Sequence, residues 1–465
     1  MANPISLRGL RQFGQHGAVV LAILALLTVS LLFGGASRQH ELRLVLVELT
    51  GLSLAVLALT ALLKREDTEP HRSAFLLVAA AACLPLVQLI PLPPAIWTAL
   101  PGRDPLALAL DLAGLPQGWL PLSLTPDRTW RSFLAVLPPI AMFLAVLATR
   151  PGSRRFLVLA LLGGILVSIL LGAAQFVGGG ERLYPWATTD AGSVTGFFAN
   201  RNHLATLCLI GIPFATVLGV GALRRRDASR LPLWIAVLFV ALSVIALGII
   251  RSRAGVVLFG PVIGASLLAA WIASGRGRPK LLLLGIVGGS VLAVVAVAAF
   301  AAAPLLERFD NGSAREGRFE NWPTILEGAQ AYLPLGSGLG SFDAVYRSIE
   351  PLERLDATFF NQAHNDYLET WLEAGWLGAA LIIAFLVWYG RRLWTAWRAG
   401  VSTQRDLQRA ASIAVGAVLL HSFVDYPLRT ETIAIVFAFC CGLLELAALS
   451  EARLNPSGSR RRTRR

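Results

Sequence analysis

Charge is scarce in this chain. Only 15% of its 465 residues are Asp, Glu, Lys or Arg, where a soluble protein carries about a quarter. That shortage excludes an ordinary water-soluble domain. Cysteine is scarce as well. Cys83, Cys208, Cys440 and Cys441 all fall inside apolar runs, with no disulfide framework and no zinc spacing. They read as small packing residues. No carboxylate cluster has the form of a metal site, and no internal repeat is evident. A cleavable signal peptide is not expected either. The first apolar run, from about Gly17 to Gly34, lacks a small-residue cleavage site and reads as a first span.

What the chain does have is apolar sequence. Hydrophobic residues make up 55% of it, and mean hydropathy is +0.64. They come in runs of about twenty, long enough to cross a hydrocarbon core of about 30 Å. Such runs place spans near 17–35, 42–63, 73–91, 131–149, 156–177, 203–222, 231–250, 254–273, 281–302, 368–389, 410–425 and 431–449. The expected fold is an all-α polytopic membrane protein of about twelve transmembrane helices. Two connections are very short: Arg251 to Arg253, and Asp425 to Thr430.

Counting charges by side orients the chain. With both termini in the cytoplasm, 26 of the 41 Lys and Arg fall on cytoplasmic segments and 15 outside. Short basic loops such as Arg224-Arg225-Arg226 hold helices in that orientation. The net charge of +13 therefore reads as membrane topology rather than nucleic-acid binding. The basic tail, 450–465, with Arg460, Arg461, Arg462, Arg464 and Arg465, is expected against anionic membrane lipid.

Two outer segments are too long to be turns. The first, 92–130, follows Pro91 and carries Pro93, Pro94 and Trp97, which suit an interfacial segment. The second, 303–363, is the largest polar stretch and holds enough aromatic residues to pack. A short helix is expected to start near Asn321 with Pro323 in its first turn. Gly336, Gly338 and Gly340 read as a flexible turn; no strand precedes them as a nucleotide loop would need.

Unusual polar residues gather at this outer face. Asn200-Arg201-Asn202-His203 opens the sixth span, and Arg251 and Arg253 flank the seventh turn. Arg315 and Arg318 lie in the large loop, and His364-Asn365-Asp366-Tyr367 opens the tenth span, with Glu369 beyond. A single Arg at a helix end usually snorkels to headgroups. Several arginines with one His make a different set. Guanidinium groups grip phosphate in a bidentate way and stay charged, and a His can take a proton from an attacking hydroxyl. The set suits a lipid diphosphate as leaving group, with charge on it stabilised by arginine.

The motifs resemble a known family. Ile250-Arg251-Ser252-Arg253-Ala254-Gly255 looks like the Ser-Arg-small-small element that opens the O-antigen ligase and polymerase domain. Gly317-Arg318-Phe319-Glu320-Asn321-Trp322 is similar to its Arg-x-x-x-Trp element, and Pro334 to Phe342 to its Pro-x-x-Gly-x-Gly turn. Ala363-His364-Asn365 with Glu373-Ala374-Gly375-Trp376 resembles its Ala-His-Asn signature, and Gly196 to Ala205 its upstream Gly-x-Phe-x-Asn-x-Asn element.

The resemblance implies a GT-C-like, metal-independent, inverting glycosyltransferase of the bacterial inner membrane, with its active site on the periplasmic face and no cofactor. His364 would be the catalytic base. Arg253 and Arg318 would bind the diphosphate of an undecaprenyl-diphosphate-linked glycan donor, with Arg251 and Arg201 as further candidates. Asn365, Asp366 and Asn202 would support them. The acceptor would be a lipid A-core, making a ligase, a lipid-linked repeat unit, making a polymerase, or a protein, and the motifs are common to all three. The expected organisation is N-terminal helices over 1–190, a ligase-like core over 191–390 and C-terminal helices over 391–449. The rival from another class is a multi-pass lipid-linked sugar transporter, which would show two related halves and charge near the midplane.

Overall fold

The computed structural model describes residues 7–36, 42–64, 71–178, 183–185, 193–224, 229–275, 317–354 and 360–446. The expected span at 281–302 and the basic tail lie outside the described residues. What is described is helical, apart from one two-residue strand pair.

Eight described helices are long and apolar enough to cross a membrane. They are α1 (Leu7–Phe33), α2 (Leu42–Leu63), α6 (Pro126–Ala148), α7 (Pro151–Gly178), α8 (Arg201–Ala222), α9 (Leu231–Ile250), α10 (Arg253–Ala273) and α13 (Asp366–Arg398). The chain is a multi-pass helical membrane protein. Three of the twelve expected spans take other forms. The helix α3 (Arg72–Gln88) has 17 residues, and α15 (Glu431–Glu445) has 15. The third, α14 (Thr403–His421), starts seven residues ahead of the apolar run and carries Arg405, Asp406 and Arg409 into the interior.

That polar start of α14 is tolerable because its charges pair. Asp406 accepts from Arg409 Nη1 at 3.1 Å and from the Arg224 guanidinium at the end of α8. A second buried cluster lies at the same end of the bundle. Glu445, closing α15, meets His71 ahead of α3, and Trp388 and Arg392 of α13. Buried charges persist only when so paired and hydrogen-bonded.

The core centres on α8, which is buried along most of its length and packs against α9, α10 and α14. A second group joins α1, α2, α6 and α15, and α15 packs against α14 to link the two. Helix starts follow local chemistry. Proline stands in the first turn of α6 and α9, where its missing N–H costs nothing. Asn200, Ser252, Asn365 and Ser402 cap α8, α10, α13 and α14 with side-chain oxygens.

The segment expected at the interface is ordered. Pro91–Leu92 pairs antiparallel with Leu120–Pro121 and ties off two short helices, α4 (Pro94–Trp97) and α5 (Asp104–Leu112). In the large loop, α11 (Gly317–Ala331) begins four residues before the expected start, so Pro323 sits inside it. Next come the glycine turn and α12 (Phe342–Ile349).

The glycine turn is packed, not loose. Gly336, Gly338 and Gly340 all have positive φ, and Ser337 and Ser341 are fully buried. Its partner is a break in α13 at Gly375, with φ 52° and ψ −138°. The break frees backbone groups that the turn takes up. The Ser337 and Gly338 N–H groups donate to the carbonyls of Leu372 and Glu373 at 3.1 and 2.8 Å, and Trp376 N–H donates to Pro334 at 3.0 Å. A Cβ at Gly375 would collide with the Pro334 carbonyl.

Gly375→Ala should therefore lower the melting temperature in detergent. Gly390→Ala on the same helix has open space around it and should leave stability equal or raise it by up to about 1 kcal/mol.

Candidate functional site

Only two described non-glycine residues have positive φ: Arg251 at 54° and His364 at 49°. Strained backbone of this kind costs about 1–3 kcal/mol per residue and concentrates at functional positions. Both lie at one end of the bundle, where α8, α10 and α13 begin. Gly255 in the first turn of α10 faces Ala205 in the second turn of α8. Tyr426 joins α8 to α13: its ring lies edge-on to His203 at 5.4 Å and to His364 at 4.7 Å. Three helix N-termini thus share one region, and each contributes the partial positive charge of its dipole.

His364 precedes the cap of α13 and is 16% exposed. Its Nδ1 lies 3.4 Å from Oδ1 of Asp425, a fully buried carboxylate that also accepts from the Tyr426 N–H at 3.0 Å. Phe360 packs against the imidazole from another side, at 5.3 Å between centroids. The ring is therefore held by a carboxylate and two aromatic groups.

The expected supporting residues divide by role. The Asn365 side chain accepts from the N–H groups of Tyr367 and Leu368, both at 3.0 Å, and so starts α13 directly after His364. Asn202 donates its N–H to the Asn200 cap at 2.9 Å. Asp366 belongs instead to a buried ion cluster. It accepts from Ser422 Oγ at 2.8 Å and from the Leu428 N–H at 3.3 Å.

That cluster is centred on Arg429, in a short 3-10 turn at Pro427–Arg429. Its guanidinium lies 2.9 Å from Glu373, 3.4 Å from Glu369 and 3.9 Å from Asp366. Burial alone would lower the Arg429 pKa, but Glu369, Glu373 and Asp366 outweigh it and raise it, so the group stays charged. Glu369 also accepts from the Ala363 N–H at 2.8 Å, next to His364. Glu373 accepts from the N–H groups of Gly340 and Phe342 at 2.9 and 3.2 Å. One Arg thereby ties the turn between α14 and α15 to α13, to the residue before His364 and to the glycine turn.

The arginines are placed as follows. Arg201 opens α8, with Nη1 3.4 Å from Ser193 Oγ. Arg253 opens α10 behind the Ser252 cap, and Arg251 is exposed at the end of α9. Arg318 falls in the first turn of α11; its side chain lies outside the described residues, as does all of Arg315. Arg201, Arg251, Arg253 and His364 share the one end. Asp425, Tyr426 and Arg429 belong to the candidate site by their contacts, and sequence reasoning missed them. Their signal was present as two charges in a six-residue connection between apolar runs.

Residues 238–383 match the family model described as O-antigen ligase. The chain carries an O-antigen ligase family domain. Members of that family are glycan-transferring enzymes of surface polysaccharide biosynthesis. The matched stretch runs from within α9 to within α13 and includes Arg251, Arg253, Arg318, the glycine turn and His364. Arg201, His203 and the Asp425–Arg429 turn fall outside the ligase-family stretch and complete its site end by packing. No curated protein matches the chain.

Arg429→Met removes the cation and leaves three carboxylates buried together. It should cost about 3–5 kcal/mol, read as a large fall in melting temperature. Asn365→Ala should cost about 1 kcal/mol through the lost cap, with Asn365→Asp retaining most of it.

Proposed function

We propose that this chain transfers a glycan from undecaprenyl diphosphate to an acceptor hydroxyl at the periplasmic face of a bacterial inner membrane. The observation that carries the reading is the His364–Asp425 contact at the end where Arg201, Arg251 and Arg253 gather. With Nδ1 donating to Asp425, Nε2 of His364 is left to accept a proton. The acceptor oxygen attacks the anomeric carbon and its proton passes to His364. The bond from that carbon to the diphosphate oxygen breaks, and the diphosphate leaves with the electron pair. A single displacement inverts the anomeric centre, and no metal is required of the chemistry.

Arg253 and Arg318 hold the leaving diphosphate, with Arg201 and Arg251 beside them. Four cations and three helix N-termini suit a group that gains negative charge as the bond breaks. Asp425 is a positioning residue. It fixes the imidazole and stabilises its protonated form without touching substrate.

Among the possible acceptors we infer the lipid A-core, to which polymer would pass from the carrier, because the matching family model is described as O-antigen ligase. Deletion of the gene tests this directly. Full-length polymer accumulating on the carrier lipid is the expected result, whereas single repeat units would mean a polymerase.

His364→Ala should abolish transfer in purified membranes while the protein stays inserted; wild-type turnover would remove His364 from catalysis. Arg253→Lys should lower donor turnover by an order of magnitude or more, since an ammonium lacks the bidentate fork. Asp425→Asn should cost about 10²-fold or more in turnover with little change in KM. It should also move the acid limb of the pH–rate profile to lower pH, because an imidazole without its carboxylate protonates less readily. An unchanged acid limb would mean that Asp425 serves only the fold.

A further inference from the structure

A groove runs along the outside of the bundle between α3 and α13, with a volume of about 770 Å3. The two helices are antiparallel. At one end the Gln88 side chain donates to the Glu373 carbonyl at 2.9 Å. At the other, His71 and Arg392 share Glu445. Between these ties the helices part. Ala80, Ala380 and Ala384 leave the space, and Leu77, Leu84 and Leu381 wall it.

In a membrane protein an open apolar groove on the outer surface faces acyl chains, not water. The charge at its mouth selects among lipids. The lining turns basic at Arg391 and Arg392. Arg392 is engaged with Glu445, whereas Arg391 is exposed, and Arg72 is exposed at the start of α3 on the same side. Among the described residues no carboxylate lines the groove.

Its basic end is also far from the candidate site. From Asp366 to Arg391 the two segments of α13 together run roughly 38 Å at 1.5 Å per residue, and the segment beyond Gly375 alone accounts for about 24 Å of a hydrocarbon core of about 30 Å. A carrier lipid with its diphosphate near His364 cannot place that group at Arg391. The groove therefore presents its cations to the opposite membrane surface.

We propose that this groove is a binding site for an anionic glycerophospholipid, with one acyl chain between α3 and α13 and the phosphate on Arg391. A neutral lipid gains the same apolar contact but lacks net charge to match the mouth. An exposed Arg that merely snorkels would show no such selectivity.

The test uses the full chain in detergent, titrated with phosphatidylglycerol and phosphatidylcholine of equal chain length and read by native mass spectrometry. Phosphatidylglycerol should be retained about five-fold more tightly. Arg391→Gln, at an exposed position, should bring the ratio to about one. Ala384→Phe, which fills the groove, should reduce retention of both lipids. Cys83 gives a second readout. It is the exposed cysteine and lines the groove, while Cys208, Cys440 and Cys441 are buried. Phosphatidylglycerol should slow its reaction with a thiol reagent. Equal retention of the two lipids would overturn the proposal. So would a preference that survives Arg391→Gln, or Cys83 labelling indifferent to lipid. Undecaprenyl phosphate displacing phosphatidylglycerol one for one in an Arg391-dependent manner would assign the groove to a carrier lipid instead.

Discussion

The site end of this protein depends on one guanidinium placed among three carboxylates. Asp366, Glu369 and Glu373 fall on one face of α13, at spacings of three and four, and Arg429 meets all three. Any one of these acids alone would be costly to bury in so apolar a chain. Together with Arg429 they form a joint with several arms. One arm holds the turn between α14 and α15, where Asp425 and Tyr426 lie. A second reaches the Ala363 N–H beside His364, and a third reaches the glycine turn through Glu373. The imidazole, its carboxylate and the loop above them are therefore positioned by the same charge balance.

This joint explains how a residue with unfavourable backbone geometry can be held in place. His364 has a left-handed conformation and would relax if its flanks were loose. Asn365 caps the helix on one side, Glu369 takes the N–H of Ala363 on the other, and Tyr426 and Phe360 close on the ring. The opposite end of the bundle uses the same physical device with different residues. Asp406 meets Arg224 and Arg409, and Glu445 meets Arg392, His71 and Trp388, so helix ends too polar for lipid are satisfied within the protein.

Much of this was legible before the fold. Apolar runs located the eight long helices, six of them to within five residues at each end, whereas α1 starts ten residues earlier and α13 ends nine later than expected; a bilayer demands length and hydrophobicity that no loop supplies. The family motifs marked His364, Arg253 and the glycine turn. Less legible was α14, whose charged first turns are buried by partners distant in sequence, and α15, which is shorter than a usual span. Asp425 and Arg429 were hidden for the same reason. Their roles arise only when the last turn folds onto α13, and six residues between two apolar runs carry no periodicity to announce it. The triad of acids on α13 could have been seen as a stripe of polar residues on one helix face, but its cation lies 56 residues from Glu373. The turn at Gly336 to Gly340 read as loose because glycine permits flexibility; its order comes from carbonyls that only a broken α13 can offer.

The break at Gly375 has a mechanical meaning. It divides α13 into a short segment, bonded to the loop and carrying the residues after His364, and a long segment that crosses the membrane. Bilayers differ in thickness, and a long helix answers by tilting. In a continuous helix that tilt would swing the first turn along with the rest. Here the first segment is anchored to Arg429 and to the glycine turn, and the long segment meets it at a joint with no helical hydrogen-bond ladder running straight through. Changes in membrane thickness can thus be taken up below Gly375, while the depth of the imidazole stays set by the protein.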